Sequence, residues 1–192
     1  MTHRIGNQIL SFHQFLSYRL FTMLAGEMVQ AAIPLLIYQK TGSITWSGLA
    51  YTITWLPRVL FQPMMGALVD AMPAKMPFWL TDFARAAVTL FLFFLDDPIF
   101  LALGGAIFGL FTGMAFIAVE RAVSHSLGMK RSPDIQSKLQ FAEQTAIIFG
   151  PLLATTLVSA SAGRFVFVTA SIVFSIGIFV TRWIFSKKHE GI

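Results

Sequence analysis

Residues 99–119 read IFLALGGAIFGLFTGMAFIAV, and none of these side chains carries a charge. An α-helix rises 1.5 Å per residue, so a helix of this length would extend about 30 Å. That distance is also the approximate thickness of the hydrocarbon core of a bilayer. The segment therefore predicts one membrane-spanning helix.

The rest of the chain repeats this pattern, with short polar breaks between long apolar runs. Apolar residues make up 56% of the sequence and charged residues only 12%, whereas a soluble domain averages about 25% charged residues. No short alternating segments of the kind that build a membrane barrel are visible. We predict an all-α polytopic protein, a single membrane domain over residues 1–192. Its six predicted transmembrane helices span about 13–37, 44–69, 76–95, 99–119, 139–159 and 164–185.

Lysine and arginine predict the orientation of these helices, because cytoplasmic loops of membrane proteins are enriched in both. If the N-terminus is inside, the outer loops keep only Lys40 and Arg164, together with the acidic Asp96 and Asp97. The residues then near the inner side are Arg4, Lys75, Arg85, Arg121, Lys130, Arg131, Lys138, Arg182, Lys187 and Lys188. Both termini are therefore predicted to be cytoplasmic.

Several classes of function are disfavoured by what the sequence lacks. There is no cysteine, hence no disulfide framework and no thiolate metal site. The net charge of +5 is distributed between the spans and forms no basic face for nucleic acid. Motifs of hydrolases, metalloproteases and dinucleotide-binding enzymes are missing. We expect no enzyme activity, no cofactor and no metal, and we predict no cleaved signal peptide.

Charged residues inside the predicted first and second spans are functional candidates, because a charge is costly in the bilayer. Glu27 and Arg58 fall near mid-depth on neighbouring antiparallel spans, so we expect them to meet. Arg19 and Gln30 share a helical face with Glu27. Two interpretations remain open. The pair is a structural contact, or Glu27 binds a proton or a cationic substrate while Arg58 tunes its pKa.

Glycine and proline mark further features of the spans. Gly105, Gly109 and Gly113 form two overlapping GxxxG patterns, which permit close helix approach within the bundle or in a homodimer. Pro34, Pro57 and Pro63 interrupt the first two spans, and bent spans often line transport pathways.

The segment Gly66-Ala67-Leu68-Val69-Asp70, with Lys75 after it, resembles the loop motif in the amino-terminal half of major facilitator superfamily transporters. Leu56-Pro57-Arg58 and Asp82-Phe83-Ala84-Arg85-Ala86 are similar to the branch of siderophore and macrolide exporters. In the fifth span, Phe149-Gly150-Pro151 resembles the motif of the exporter helix. The resemblance extends over nearly the whole chain, from about Ile9 to Phe185.

The resemblance implies a transporter of a small molecule, a proton-coupled efflux permease of the bacterial plasma (inner) membrane. It implies half of a twelve-helix fold: a truncated transporter, a homodimer, or one half of a heteromer. Besides the bilayer and the substrate, a second six-helix half is thus an expected partner. The rival expectation is a non-transporting scaffold or assembly subunit.

The resemblance also implies a set of residues for a conformational switch. These are Gly66, Leu68, Asp70, Lys75, Asp82, Arg85 and Arg121. Asp70 is expected to pair with Arg85 or Arg121 near the inner surface, the alternative being that it only caps its turn. Gly150 and Pro151 are the implied exporter-motif positions.

Overall fold

A computed structural model describes the backbone of residues 2–73, 76–121 and 133–186, and their side chains except at 2–11, 161–162 and 183–186. These ranges contain helices and no strand, which confirms the all-α prediction. Lys75, Lys130, Arg131, Lys187 and Lys188 lie outside the described residues, with most of the connector before the fifth predicted span.

The described part of the chain contains seven α-helices. They are α1 (Thr2–Thr41), α2 (Ile44–Leu60), α3 (Gln62–Ala71), α4 (Met76–Phe94), α5 (Pro98–Arg121), α6 (Pro133–Leu157) and α7 (Phe165–Ser186). A π-helical segment, Val158–Ala162, extends α6 toward α7. Among the same residues, five stretches are long and apolar enough to cross a membrane: Phe12–Thr41, Met76–Phe94, Pro98–Arg121, Pro133–Ala160 and Phe165–Arg182.

The predicted second span is the one that the structure divides. Within the predicted span 44–69, the single residue Phe61 separates α2 from α3, in the stretch that Pro57 and Pro63 were expected to interrupt. Neither Pro57 nor Pro63 has an N–H to donate to the helical ladder. Pro63 instead lies in the first turn of α3, where a missing N–H costs little. With 17 and 10 residues, α2 and α3 are each too short to span alone. The count of six crossings stays a prediction.

Two other boundaries differ from the sequence-based ones. α1 continues to Thr41, so that only Gly42 and Ser43 separate it from α2, and Gly42 supplies the positive φ of 64° that this turn requires. α6 begins at Pro133 instead of 139. Asp134 and Lys138, predicted in the connector, therefore lie in its first turns as an ion pair of 2.8 Å.

α1 lies at the centre of the bundle and contacts α2, α5, α6 and α7, while α4 packs against α5 and α7. The largest fully buried side chains include Phe15, Phe78, Phe108, Phe167 and Phe174. The glycine patterns of α5 are used within this bundle. A Cβ at Gly105 would lie 2.8 Å from the Thr54 hydroxyl, and one at Gly109 would collide with the Thr54 carbonyl. Close packing of α5 on α2 thus accounts for these glycines.

Candidate functional site

Two guanidinium groups converge on the ring of Phe116, on the face of α5 that looks toward α1 and α2. The guanidinium carbon of Arg19 lies 4.4 Å from the ring centroid and that of Arg58 lies 4.1 Å from it. Arg58 also lies over the ring of Trp55, at 5.0 Å. Such cation–π contacts hold a cation by the negative face of an aromatic ring.

The sequence of α5 explains how Arg58 reaches this ring. Gly113 lies one turn before Phe116, and a Cβ there would come within 2.8 Å of the Arg58 Cγ. The missing side chain leaves room for the aliphatic part of Arg58 to lie along α5 and deliver its guanidinium to Phe116. The third glycine of the repeated pattern therefore shapes the site as well as the packing.

Glu27 lies at the closest contact between α1 and α6. Its side chain is 9% exposed and it packs directly on Gly150, where an added Cβ would lie 2.5 Å from the Glu27 Cβ and 3.2 Å from its carbonyl carbon. Pro151 follows within α6. The exporter-motif glycine and the candidate carboxylate are thus brought together by the fold.

Glu27 and Arg58 do not form the direct ion pair that their matched depth predicts. Their charges interact, but none of the ion pairs between described residues joins them, and Arg58 is directed onto Phe116 and Trp55. That the two side chains meet stays a prediction, because depth along two spans says nothing about the rotation of each helix. The guanidinium of Arg58 instead lies against the aromatic rings of Trp55 on α2 and Phe116 on α5.

Glu143 is a fourth charged member of the site, and the sequence analysis missed it. α1 and α6 run parallel, because Glu27 contacts Gly150 and, further along both helices, Gln39 donates to the Val158 carbonyl at 3.5 Å. Glu143 lies about two turns before Gly150 on the same face of α6, and hence level with Arg19. Its charge interacts with those of Arg19, Arg58 and Glu27. It falls inside the predicted fifth span, so the rule on intramembrane charge would have found it.

Three buried polar atoms on the same helices have no hydrogen-bond partner among the described residues. They are Gln30 Oε1, Trp55 Nε1 and Thr112 Oγ1. Gln30 follows Glu27 by one turn, Trp55 precedes Arg58 by one turn, and Thr112 precedes Phe116 by one turn. An unmet buried polar group costs about 1–3 kcal/mol, so each of these atoms favours a partner such as water or a ligand.

Asp70 lies beside Arg121, one of its two predicted partners. The Arg121 Nε is 3.7 Å from the Asp70 Oδ1, and the same guanidinium donates to the carbonyls of Val69, Asp70 and Met72. Arg121 therefore satisfies the last carbonyls of α3 from the end of α5. Of the other motif residues, Leu68 is exposed and an added Cβ at Gly66 would meet nothing within 4 Å.

Arg85, the other candidate partner of Asp70, lies elsewhere. Its guanidinium forms a buried ion pair with Asp82 and lies 4.4 Å from the centroid of the Phe174 ring. Tyr18 donates its hydroxyl to the second Asp82 oxygen at 2.5 Å. The spacing of Asp82 and Arg85, three residues apart on α4, favours their mutual pairing over a loop contact. This closed cluster ties α1, α4 and α7 together.

The helices and their buried charges define a polytopic membrane protein with a polar site inside its bundle. The family model of the Major Facilitator Superfamily matches residues 15–191, and the chain belongs to this family. It is accordingly an integral membrane protein of a family whose members carry out transmembrane transport and are not enzymes. No curated protein matches the chain.

Proposed function

We propose that the chain moves a small molecule out of a bacterial cell by proton-coupled efflux, with Glu27 as the residue that carries the proton. The observation that carries this proposal is the environment of Glu27. It is a buried carboxylate without an ion-pair partner among the described residues, and its charge interacts with those of Arg58 and Arg19, whose guanidiniums lie on a shared aromatic ring.

Proton binding at Glu27 would be linked to the position of Arg58. Protonation removes the negative charge that attracts Arg58, so a shift in either group changes the other, and this reciprocity is what coupling requires. Arg58 has two alternatives at hand, the aromatic rings of Trp55 and Phe116 or the carboxylate of Glu27. A side chain that can occupy two positions is suited to distinguish the protonated state of Glu27 from the deprotonated state.

The efflux direction, and with it the siderophore and macrolide exporter branch, is supported by α6. Gly150 permits the closest approach of α6 to α1 at Glu27 itself. Ala146 and Ala154, one turn before and after it, are fully buried and continue the same face of small residues. Sliding or tilting of α6 on α1 would therefore act directly on the carboxylate.

The contact between Asp70 and Arg121 is proposed as the conformational switch at the inner surface. It joins the end of α3 to the end of α5, and thereby the two halves of the broken second span to the helix that carries Phe116. Breaking this contact would free α3 to move at the hinge around Phe61. The alternative is that Arg121 only caps α3.

A second six-helix unit is proposed as the partner that completes the transporter. The stretch formed by α6 and its π-helical extension is the least buried of the five membrane-length stretches. Of its most apolar 18 residues, 28% are buried inside the bundle. Its exposed large side chains include Phe141, Ile148, Phe149 and Leu152. A second copy, a separate chain or a continuation of this chain would each provide such a unit.

The experiment uses the full chain with its partner half, reconstituted in liposomes across a pH gradient. We expect Glu27→Gln to keep substrate exchange at equal pH and to lose accumulation driven by the gradient. Asp134→Asn serves as the control, since it removes an exposed carboxylate at the start of α6. Gradient-driven accumulation that survives in Glu27→Gln would contradict the proposal.

A further inference from the structure

The positively and negatively charged side chains of the site around Phe116 are equal in number and do not pair with one another. Arg19 and Arg58 supply two positive charges, and Glu27 and Glu143 supply two negative ones, from α1, α2 and α6. All four interact through their charges, yet none of them forms an ion pair with another described residue.

The other two buried charged residues in the described part of the chain, Asp82 and Arg85, pair with each other. At the surface, Lys40 pairs with Asp96 at 2.8 Å. A buried charge left without a partner is costly, and evolution usually pairs it or removes it. Four complementary charges that do not pair with one another are therefore available to bind a ligand.

A ligand can reach these groups. Arg58, Phe116 and Glu143 are half-buried and so keep part of their surface open, while Arg19 lies behind them at 5% exposure. The unmet donor Trp55 Nε1 belongs to the ring over which Arg58 lies, and the unmet hydroxyl of Thr112 is one turn before Phe116 on α5. The unmet acceptor Gln30 Oε1 is one turn after Glu27 on α1. The helices that carry Phe116 and Glu27 thus each offer an unmet polar group to a ligand.

We propose that this site binds a zwitterion, a small molecule carrying both a carboxylate and a protonated amine. The inference rests on the proposed transport function and names its substrate class. A carboxylate would bind Arg58, whose planar fork matches its two oxygens, and the charge of the buried Arg19 would add to the attraction. The ammonium group would bind Glu27 and Glu143, and the apolar part would lie against Trp55 and Phe116.

Molecules with a single charge fit this arrangement less well. An anion would leave the two carboxylates without partners, and a cation would leave the two guanidiniums without partners. A zwitterion also agrees with exchange against protons, because its ammonium competes with a proton for the same carboxylates. Proton loading from outside would then displace the substrate, as efflux requires.

Three probes with the same ring and chain length test the charge requirement: L-phenylalanine, 3-phenylpropionate and phenethylamine. Binding is measured by calorimetry on the full chain with its partner half in lipid nanodiscs. We expect phenylalanine to bind at least about tenfold more tightly than either singly charged probe, which corresponds to about 1.4 kcal/mol. Equal or tighter binding of a singly charged probe, or no binding of any probe, would overturn the zwitterion class.

Two variants assign the two ends of the ligand. Glu143→Gln should remove the advantage of phenylalanine over 3-phenylpropionate, and Arg58→Gln should remove its advantage over phenethylamine. Asp134→Asn, checked like the others by gel filtration and circular dichroism, should preserve both advantages. Preserved advantages in Glu143→Gln and Arg58→Gln would place the ligand elsewhere. Charge selectivity without gradient-driven transport would count against the proposed function alone.

Discussion

Two buried clusters in this bundle contain the same kinds of charged residues in opposite arrangements. In the closed cluster, Asp82 is engaged by both Arg85 and Tyr18 and is inaccessible. In the open cluster around Phe116, Glu27 and Arg58 interact without pairing, and Arg58 lies on aromatic rings. A buried charge stabilises a fold when its partner is fixed. A buried charge without a fixed partner remains available for binding or proton transfer.

The largest effect is expected from breaking the closed cluster. Asp82→Ala leaves Arg85, which is 2% exposed, buried with no counter-charge, at a cost of about 3–5 kcal/mol. Thermal unfolding of the purified protein in detergent should show a large loss of stability. Glu27→Ala, the matched change in the open cluster, should destabilise the protein much less. Equal losses in the two variants would break the distinction between the clusters.

A smaller effect is expected where α1 and α6 meet. Gly150→Ala places a Cβ 2.5 Å from that of Glu27 and within 3.2 Å of its backbone, so the helices must separate. Overpacking of this kind costs about 1–3 kcal/mol and should also reduce gradient-driven transport. Gly48→Ala is the control, because a Cβ there meets nothing within 4 Å. If both alanine variants behave alike in unfolding and transport, close contact at Glu27 is not required.

The sequence predicted the spans well because apolar length and helical class follow from composition alone. Residues 99–119, for example, lie within α5 at Pro98–Arg121. An interruption of the second span was expected from Pro57 and Pro63, but its position at Phe61 was not, because a proline alone does not show where a helix ends. What hydropathy does not contain is the rotation of each helix about its axis. For that reason the depth of Glu27 and Arg58 could be inferred, but not the contact of Arg58 with the ring of Phe116.

Partners within a helix and partners across helices differ in the same way. The pairing of Asp82 with Arg85 follows from their spacing on α4. It was not predicted, because Arg85 was named as a candidate partner of Asp70 instead. Tyr18, which completes that cluster from α1, gives no such local signal. Glu143 was visible as an intramembrane carboxylate, but its relation to Arg19 depends on the parallel packing of α1 and α6.

The smallest effect on stability is expected at the contact between Asp70 and Arg121. Exposed ion pairs contribute less than about 1 kcal/mol, so Asp70→Asn should insert and unfold as the unaltered protein does. If the contact with Arg121 is a switch, transport should nevertheless fall in that variant. Asp96→Asn, which removes an exposed carboxylate paired with Lys40 at the other end of the bundle, is the control. Unchanged transport in Asp70→Asn would reduce the contact to a helix cap.

Proton release on ligand binding tests most directly whether the open cluster couples substrate to protons. The full chain with its partner half, in weakly buffered solution with a pH indicator dye, is mixed with L-phenylalanine as the zwitterionic probe. The account predicts that the unaltered protein releases protons as the probe binds, and that Glu27→Gln binds the probe with markedly smaller release. Binding without proton release in the unaltered protein, or equal release in Glu27→Gln, would contradict it.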